Sequence, residues 1–451
     1  MNDNTNNENQ LTNFLSKIIE KATKRGANSA DAIGVINQSL SISQRLGKRE
    51  DLERSESNSF GLRVFIGKRQ SIVSSSDKSD EGVNELIDRA IEMAKIAPED
   101  PYVGISESES IVKNWKDLNL IDNFEPDSDW LYEKAAKAED AALSLKEINN
   151  SEGGESSWSK STVALANSHN FYGSYSGSMF SISAAVIAGS GSEMERDYDY
   201  SVARLNSSLD KPENVGINAA KRAIKRLKPI KIDSAEIPVL FDWRVASSLL
   251  GHFSSAINGQ SIAKNTSFLS EKLNQSIFKK GINIIDDPLV PQGLGSRPFD
   301  GEAIECKKIN LVSDGVLNNW ILDLSSSRQL GLKTNGHASR GVSSVPFPST
   351  SNLYLESGDS SVDQLMNGIK KGIYVTELIG MGVNTVNGDY SRGAAGFLIE
   401  NGKISSPVSE ITVAGNLISM FANITPANDL NFKNKTNSPS ILIENMTVAG
   451  N

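Results

Sequence analysis

The chain holds one cysteine and three histidines in 451 residues, and those two shortages exclude much chemistry. A lone Cys306 rules out an internal disulfide and any multi-cysteine metal or iron–sulfur site. His169, His252 and His337 each lie more than eighty residues from the next, and none is followed by glutamate. A zinc hydrolase helix needs two histidines about one turn apart with a glutamate as general base, and this spacing does not supply them. Long apolar runs are missing as well: no window approaches eighteen uninterrupted apolar residues, so no membrane span is expected. The start, MNDNTNNENQ, lacks the apolar run of a secretory signal, and a soluble, cytoplasmic protein is expected. A net charge of −9 argues against a direct nucleic-acid partner.

Other catalytic signatures are missing too. The run Gly61–Lys68, GLRVFIGK, has five residues between its glycines instead of four, with Arg69 where a phosphate loop needs Ser or Thr. No G-x-G-x-x-G follows a strand pattern. GSYSG at Gly173 puts Tyr175 where a serine nucleophile belongs. Cys306, in AIECKK, reads as a packed strand residue. His252 sits beside the apolar face of Val245, Leu249 and Phe253 and reads as a hydrogen-bonded structural histidine. His337, in the glycine-flanked TNGHASRG, is the better candidate for a ligand contact.

Glycine, by contrast, is plentiful, at 35 residues. Five of these, Gly380, Gly382, Gly388, Gly393 and Gly396, fall inside seventeen residues of the stretch Tyr374–Gly402. Such density predicts positive-φ turns, or backbone that passes close to something. Strand-like runs flank it (YVTELI and FLIEN), and polar residues between the glycines could hold a ligand or a backbone.

The rest of the chain alternates between helical and strand periods. Residues 1–10 read as a disordered tail and Leu11–Lys24 as a helix. Strands follow from Ala32, with an amphipathic helix over Glu81–Lys95 and another from Ser128 capped by Asp127 or Ser128. Residues 159–205 predict three or four antiparallel strands, and Glu213–Lys228 a helix whose cations form a solvated end. The segment Pro229–Pro238 marks a boundary. TVAGN occurs at Thr412–Asn416 and again at Thr447–Asn451, as two similar strand ends or by coincidence. The expected class is α+β. Residues 1–30 form a tail and first helix, 31–231 an N-terminal α+β domain, and 232–451 a β-rich domain with a large, mostly antiparallel sheet system.

Several stretches together resemble the TldD/PmbA family, the modulators of DNA gyrase, and within it the PmbA (TldE) branch. They are SLLGHFSSAINGQSIAKNTSFL (248–269), INIIDDPLVPQGLGSRPFDGE (282–302), LGLKTNGHASRG (330–341), TELIGMGVNTVNGDYSRGAAGF (376–397), and TPANDL with MTVAGN near the end. The resemblance runs from about residue 30 to 451. It implies a subunit of a TldD/TldE-type zinc metallopeptidase complex that processes unfolded peptides. A TldD-like partner would carry H-E-x-x-x-H and a cysteine and so hold the zinc. The related helix here reads LLGHFSSAINGQ, which lacks the second histidine and the glutamate. No catalytic or metal-binding residue is therefore expected in this chain, and no cofactor bound by it. Peptide or interface contacts are expected instead at His337, Arg340, Asp389, Tyr390, Arg392 and Gly393. The alternative is a free-standing, homodimeric peptide-binding or regulatory protein.

Overall fold

The structure is a computed structural model and describes residues 3–450. Its first half contains α1 (Asp3–Lys24), β1 (Ser29–Arg45), β2 (Lys48–Ile66), β3 (Arg69–Ser75), α2 (Asp80–Ile96) and α3 (Ser128–Leu143). It continues through β4 (Ile148–Asn167), β5 (Phe171–Ala188), β6 (Glu195–Ala203) and α4 (Pro212–Lys225). The strands form one sheet in the order β3-β2-β1-β4-β5-β6, antiparallel throughout. Apolar residues at helical spacing on α1 (Leu11, Leu15, Ile18) and α2 (Val83, Leu86, Ile87) are buried with Phe60, Leu62 and Val64 of β2. The alanine-rich faces of α3 and α4 lie over Ile182, Ala184 and Val186 of β5. Asp127 caps α3 as expected, its carboxylate accepting from the Trp130 N–H at 2.8 Å.

The expected disordered tail is a correction: from Asp3 onward it is helix, with Met1 and Asn2 outside the described residues. Its polar sequence hides a tertiary anchor, because the Glu8 carboxylate accepts from Ser176 at 2.6 Å and Ser174 at 3.3 Å on β5.

The second half runs β7 (Ala235–Phe241), α5 (Trp243–Ala256), α6 (Gly259–Ala263), β8 (Ile284–Asp286), β9 (Ile309–Ser313), β10 (Val316–Leu317) and α7 (Leu324–Gln329). Then come β11 (Ala338–Ser339), β12 (Phe347–Pro348), β13 (Leu353–Leu355), α8 (Val362–Asn367), β14 (Lys371–Ile379), β15 (Asp389–Glu400) and β16 (Lys403–Asn416). The chain finishes with α9 (Leu417–Ala422), β17 (Ile424–Pro426), β18 (Thr436–Asn437) and β19 (Ile441–Ala449). Strands β16, β15, β14, β7 and β19 pair in that order, and β19 pairs back onto β16, so they close a ring. Only β14 and β7 run parallel within it. The two TVAGN segments make the closure: Thr412, Val413 and Ala414 pair with Ala449, Val448 and Thr447. Closure removes exposed strand edges. The fold is α+β, with the large, mostly antiparallel sheet system in the C-terminal half.

Buried ion pairs and aromatic rings join the halves. Arg340 reaches Asp31 of β1 at 2.6 Å, and Asp31 also pairs with Arg63 of β2. Phe299 is packed edge-on by Trp115, Phe171 and Tyr175, with centroids 5.0 to 5.4 Å away. Among the described residues, no helix is long and apolar enough to cross a membrane.

Candidate functional site

The glycines of 374–402 shape the turn between β14 and β15 in both expected ways. Gly380 and Gly388 have φ of +81° and +84°, where a side chain is strained. Gly382 permits a close approach instead: a Cβ there would lie 2.0 Å from the Ser391 carbonyl oxygen. The turn keeps part of the ladder, with Ser391 N–H donating to Gly382 O at 2.7 Å and Asn384 N–H to Asp389 O at 2.8 Å. This rigid turn fixes where β15 begins, and so where Tyr390 and Arg392 point.

Those two residues are two apart on a strand and project to the same face. Tyr390 is 1% exposed and meets His252 of α5 edge to face, with ring centroids 6.0 Å apart. Asp242 starts α5 just after β7, its carboxylate accepting from the Arg244 N–H at 3.0 Å, and Leu249 and Phe253 bury the helix face beside His252. Three polar atoms in this group are buried with no hydrogen-bond partner: His252 Nε2, the Tyr390 hydroxyl and Arg392 Nε. Buried polar groups are ordinarily satisfied, and a cluster of exceptions suits a site for a polar ligand.

Electrostatics set the protonation states. Burial pulls the His252 pKa below its ordinary value, and the Arg392 charge lowers it further. Burial drives the Tyr390 phenol far above its ordinary value, with Arg392 opposing. Near neutrality the group therefore presents a neutral imidazole, a phenol O–H and a guanidinium cation. It offers donors and one ring nitrogen, which suits holding a carbonyl or carboxylate oxygen.

The other expected contact residues are placed elsewhere. His337 is 1% exposed; its Nε2 lies 3.1 Å from Asp286 and its Nδ1 3.0 Å from the Asn335 carbonyl oxygen. Arg340 donates from Nη1 to Asp31 at the seam between the halves, and its Nε and Nη2 are buried there with no hydrogen-bond partner. Asp389 is exposed at the turn and accepts from the Asn387 amide at 2.7 Å and the Asn416 amide at 3.2 Å. Gly393 lies against Ile379 of β14. The hydrogen bonding of the two histidines is thus the reverse of that expected. His337 is the hydrogen-bonded structural one, and His252 carries the unpartnered nitrogen. Its place on α5 one turn after Leu249, on the buried face, is the signal that marks it.

Family profiles match along almost the whole chain. The PmbA/TldA metallopeptidase domain 1 covers residues 30–94, the central domain 121–227 and the C-terminal domain 234–450. The Metalloprotease PmbA of Escherichia coli O157:H7 is 36% identical over 98% of this chain and 96% of its own length. The chain belongs to the TldD/PmbA metallopeptidase family. A Metalloprotease PmbA homolog of Haemophilus influenzae is 33% identical over 98% of this chain and 97% of its own. Among solved structures, a Bacteroides thetaiotaomicron protein described as a modulator of DNA gyrase superposes with a TM-score of 0.90. It is 26% identical, over 97% of this chain and 98% of its own. TldE of Thermococcus kodakarensis, at 22% identity, shares the fold with a TM-score of 0.85 over 97% of this chain and all of its own.

The family name implies a metal, and the side chains here do not fit one. Among the described residues no three His, Cys, Asp or Glu side chains converge as a metal site. His252 has an aromatic ring and a cation for neighbours. The Cys306 thiol donates to the Gly336 carbonyl oxygen at 3.5 Å, and burial pushes its pKa up to about 12, away from the thiolate a metal requires.

Proposed function

We propose that this chain is a PmbA/TldE-like, non-catalytic subunit of a TldD/TldE-type zinc metallopeptidase. In this reading it shapes the chamber in which a TldD-like subunit cleaves unfolded peptides in the cytoplasm. The observation that carries it is the His252–Tyr390–Arg392 group, in which His252 of the helix resembling the family's metal helix faces Tyr390 of β15 and offers hydrogen bonding in place of metal ligands. A guanidinium and a phenol on one face of a strand, each with an unpartnered donor, can orient a substrate carbonyl or terminal carboxylate without doing chemistry on it. The turn beside them ends in apolar residues, Met381 at 93% exposure and Ile379 and Val386 at 59% each, which favours a further chain covering it. Zinc belongs to the TldD-like partner in this account.

The test is cleavage of an unfolded peptide by the chain mixed with a TldD-like subunit, compared with either alone. Activity that needs both supports the reading. A peptide complex formed by a homodimer of this chain, with no effect of the TldD-like subunit, would favour the free-standing peptide binder instead.

A further inference from the structure

A second polar enclosure lies where α4 of the first half meets the barrel wall of the second. A cleft of about 460 Å³ is lined by Arg222 and Lys225 of α4, Arg244 of α5, and Thr376, Phe397 and Ile404 of the wall. That volume is ample for a small ligand. Thr376 alternates with Val375, which is buried in the core beneath α5, so the cleft lies on the face of β14 turned away from that core.

Two carboxylates also line the cleft, and both are occupied. Asp242 accepts from Arg244 Nε at 3.3 Å and from the Tyr374 hydroxyl at 2.5 Å. Asp197 accepts from Arg244 Nη1 at 3.0 Å, with Arg226 Nη1 3.8 Å from its other oxygen. The donors are in surplus. Among the described residues Lys225 has no ion pair, Arg244 Nη2 makes no hydrogen bond, and the Thr376 hydroxyl is buried with no partner. Arg222 is spent on Asp199 at 2.7 Å and Arg244 on the two lining carboxylates, which leaves Lys225 as the lining cation without an ion pair among the described residues. Phe397 and the 45% exposed Ile404 add an apolar wall beside the donors.

From this combination we infer that the cleft binds a carboxylate adjoining an apolar side chain. A short peptide ending in a hydrophobic residue and a single N-capped hydrophobic amino acid both carry that chemistry. Arg244 Nη2 and Lys225 would take the carboxylate, Thr376 would donate to it, and Phe397 and Ile404 would cover the side chain. The inference rests on the peptide-handling reading for its biological sense. Its test reads binding by the chain alone, so either can fail without the other.

The experiment is calorimetric titration of the full chain with Ala-Ala-Leu, its C-terminal amide, N-acetyl-leucine and inorganic phosphate. The acid peptide or N-acetyl-leucine should bind, and whichever binds tighter names the source. The amide should bind at least about tenfold more weakly, because a charge-assisted hydrogen bond is lost. Lys225→Gln and Thr376→Val should each weaken binding roughly three- to tenfold while the unfolding midpoint holds, since neither side chain has a partner to lose. Equal binding of acid and amide, displacement by equimolar phosphate, or no binding by either carboxylate would overturn the assignment.

Discussion

His252 and Tyr390 meet edge to face at 6.0 Å and 73°, and neither ring's unpartnered polar atom has a hydrogen bond within the chain. Removing the phenolic oxygen therefore breaks nothing in the fold. Tyr390→Phe should keep or slightly raise the unfolding midpoint and lower peptide cleavage by the two-subunit mixture roughly two- to tenfold, the value of one neutral hydrogen bond. Arg392→Ala should cost more, roughly tenfold or above, because its bond is charge-assisted. It should also raise the His252 pKa, since the Arg392 charge is one of the two influences holding it down. Imidazole titration by NMR reads that shift without any cleavage assay.

Asp31 supplies a test of the seam between the halves. Burial pushes its pKa up, but Arg340 and Arg63 pull harder and leave it below the ordinary carboxylate value. A carboxylate depressed in the folded state stabilises the protein above its unfolded pKa, and that contribution is lost as pH falls through the folded value. Arg340→Met should weaken the dependence of stability on acid pH and lower stability in urea unfolding by less than the ~3–5 kcal/mol of a fully broken buried pair, because Arg63 still holds Asp31.

Glu302, close to the same seam, has the opposite sign. Burial raises its pKa to about 8, against the pull of Arg63 and with Asp300 and Asp323 adding to the rise. It stabilises the fold while protonated, and that contribution fades as pH rises from the ordinary glutamate range through about 8. The thermal midpoint should decline over that window in the native chain, and Glu302→Gln should flatten the decline.

Gly382 tests the turn. A Cβ there would lie 2.0 Å from the Ser391 carbonyl oxygen, which is backbone and cannot swing aside. Gly382→Ala should destabilise by about 1–3 kcal/mol, the usual cost of overpacking. Hydrogen exchange should show the loosening concentrated at the start of β15.

The elements that local pattern dictates could be read from the chain. α2 was visible because Val83, Leu86, Ile87 and Ala90 make one apolar stripe, and the Asp127 cap because capping is a matter of neighbours. Residues 3–10 were missed because their helix is anchored by Glu8 to serines more than 160 residues away. The roles of the two histidines were invisible for the same reason. His337 is satisfied by Asp286, 51 positions earlier, and His252 faces a tyrosine far along the chain. The TVAGN repeat showed similarity but not that the two copies pair and close the barrel. The glycine-rich stretch contains Tyr390 and Arg392, while His252, which packs against Tyr390, lies on a helix far away in the chain and carries no local signal of that contact.

The central claim is that this chain holds the peptide and leaves the metal chemistry to another subunit. Zinc content and peptide cleavage, measured on the same preparation before and after adding a TldD-like subunit, test it most directly. The chain alone should carry less than stoichiometric zinc and show no chelator-sensitive cleavage, with cleavage on mixing that Arg392→Ala weakens. One zinc per chain together with chelator-sensitive cleavage in the absence of any partner would contradict it.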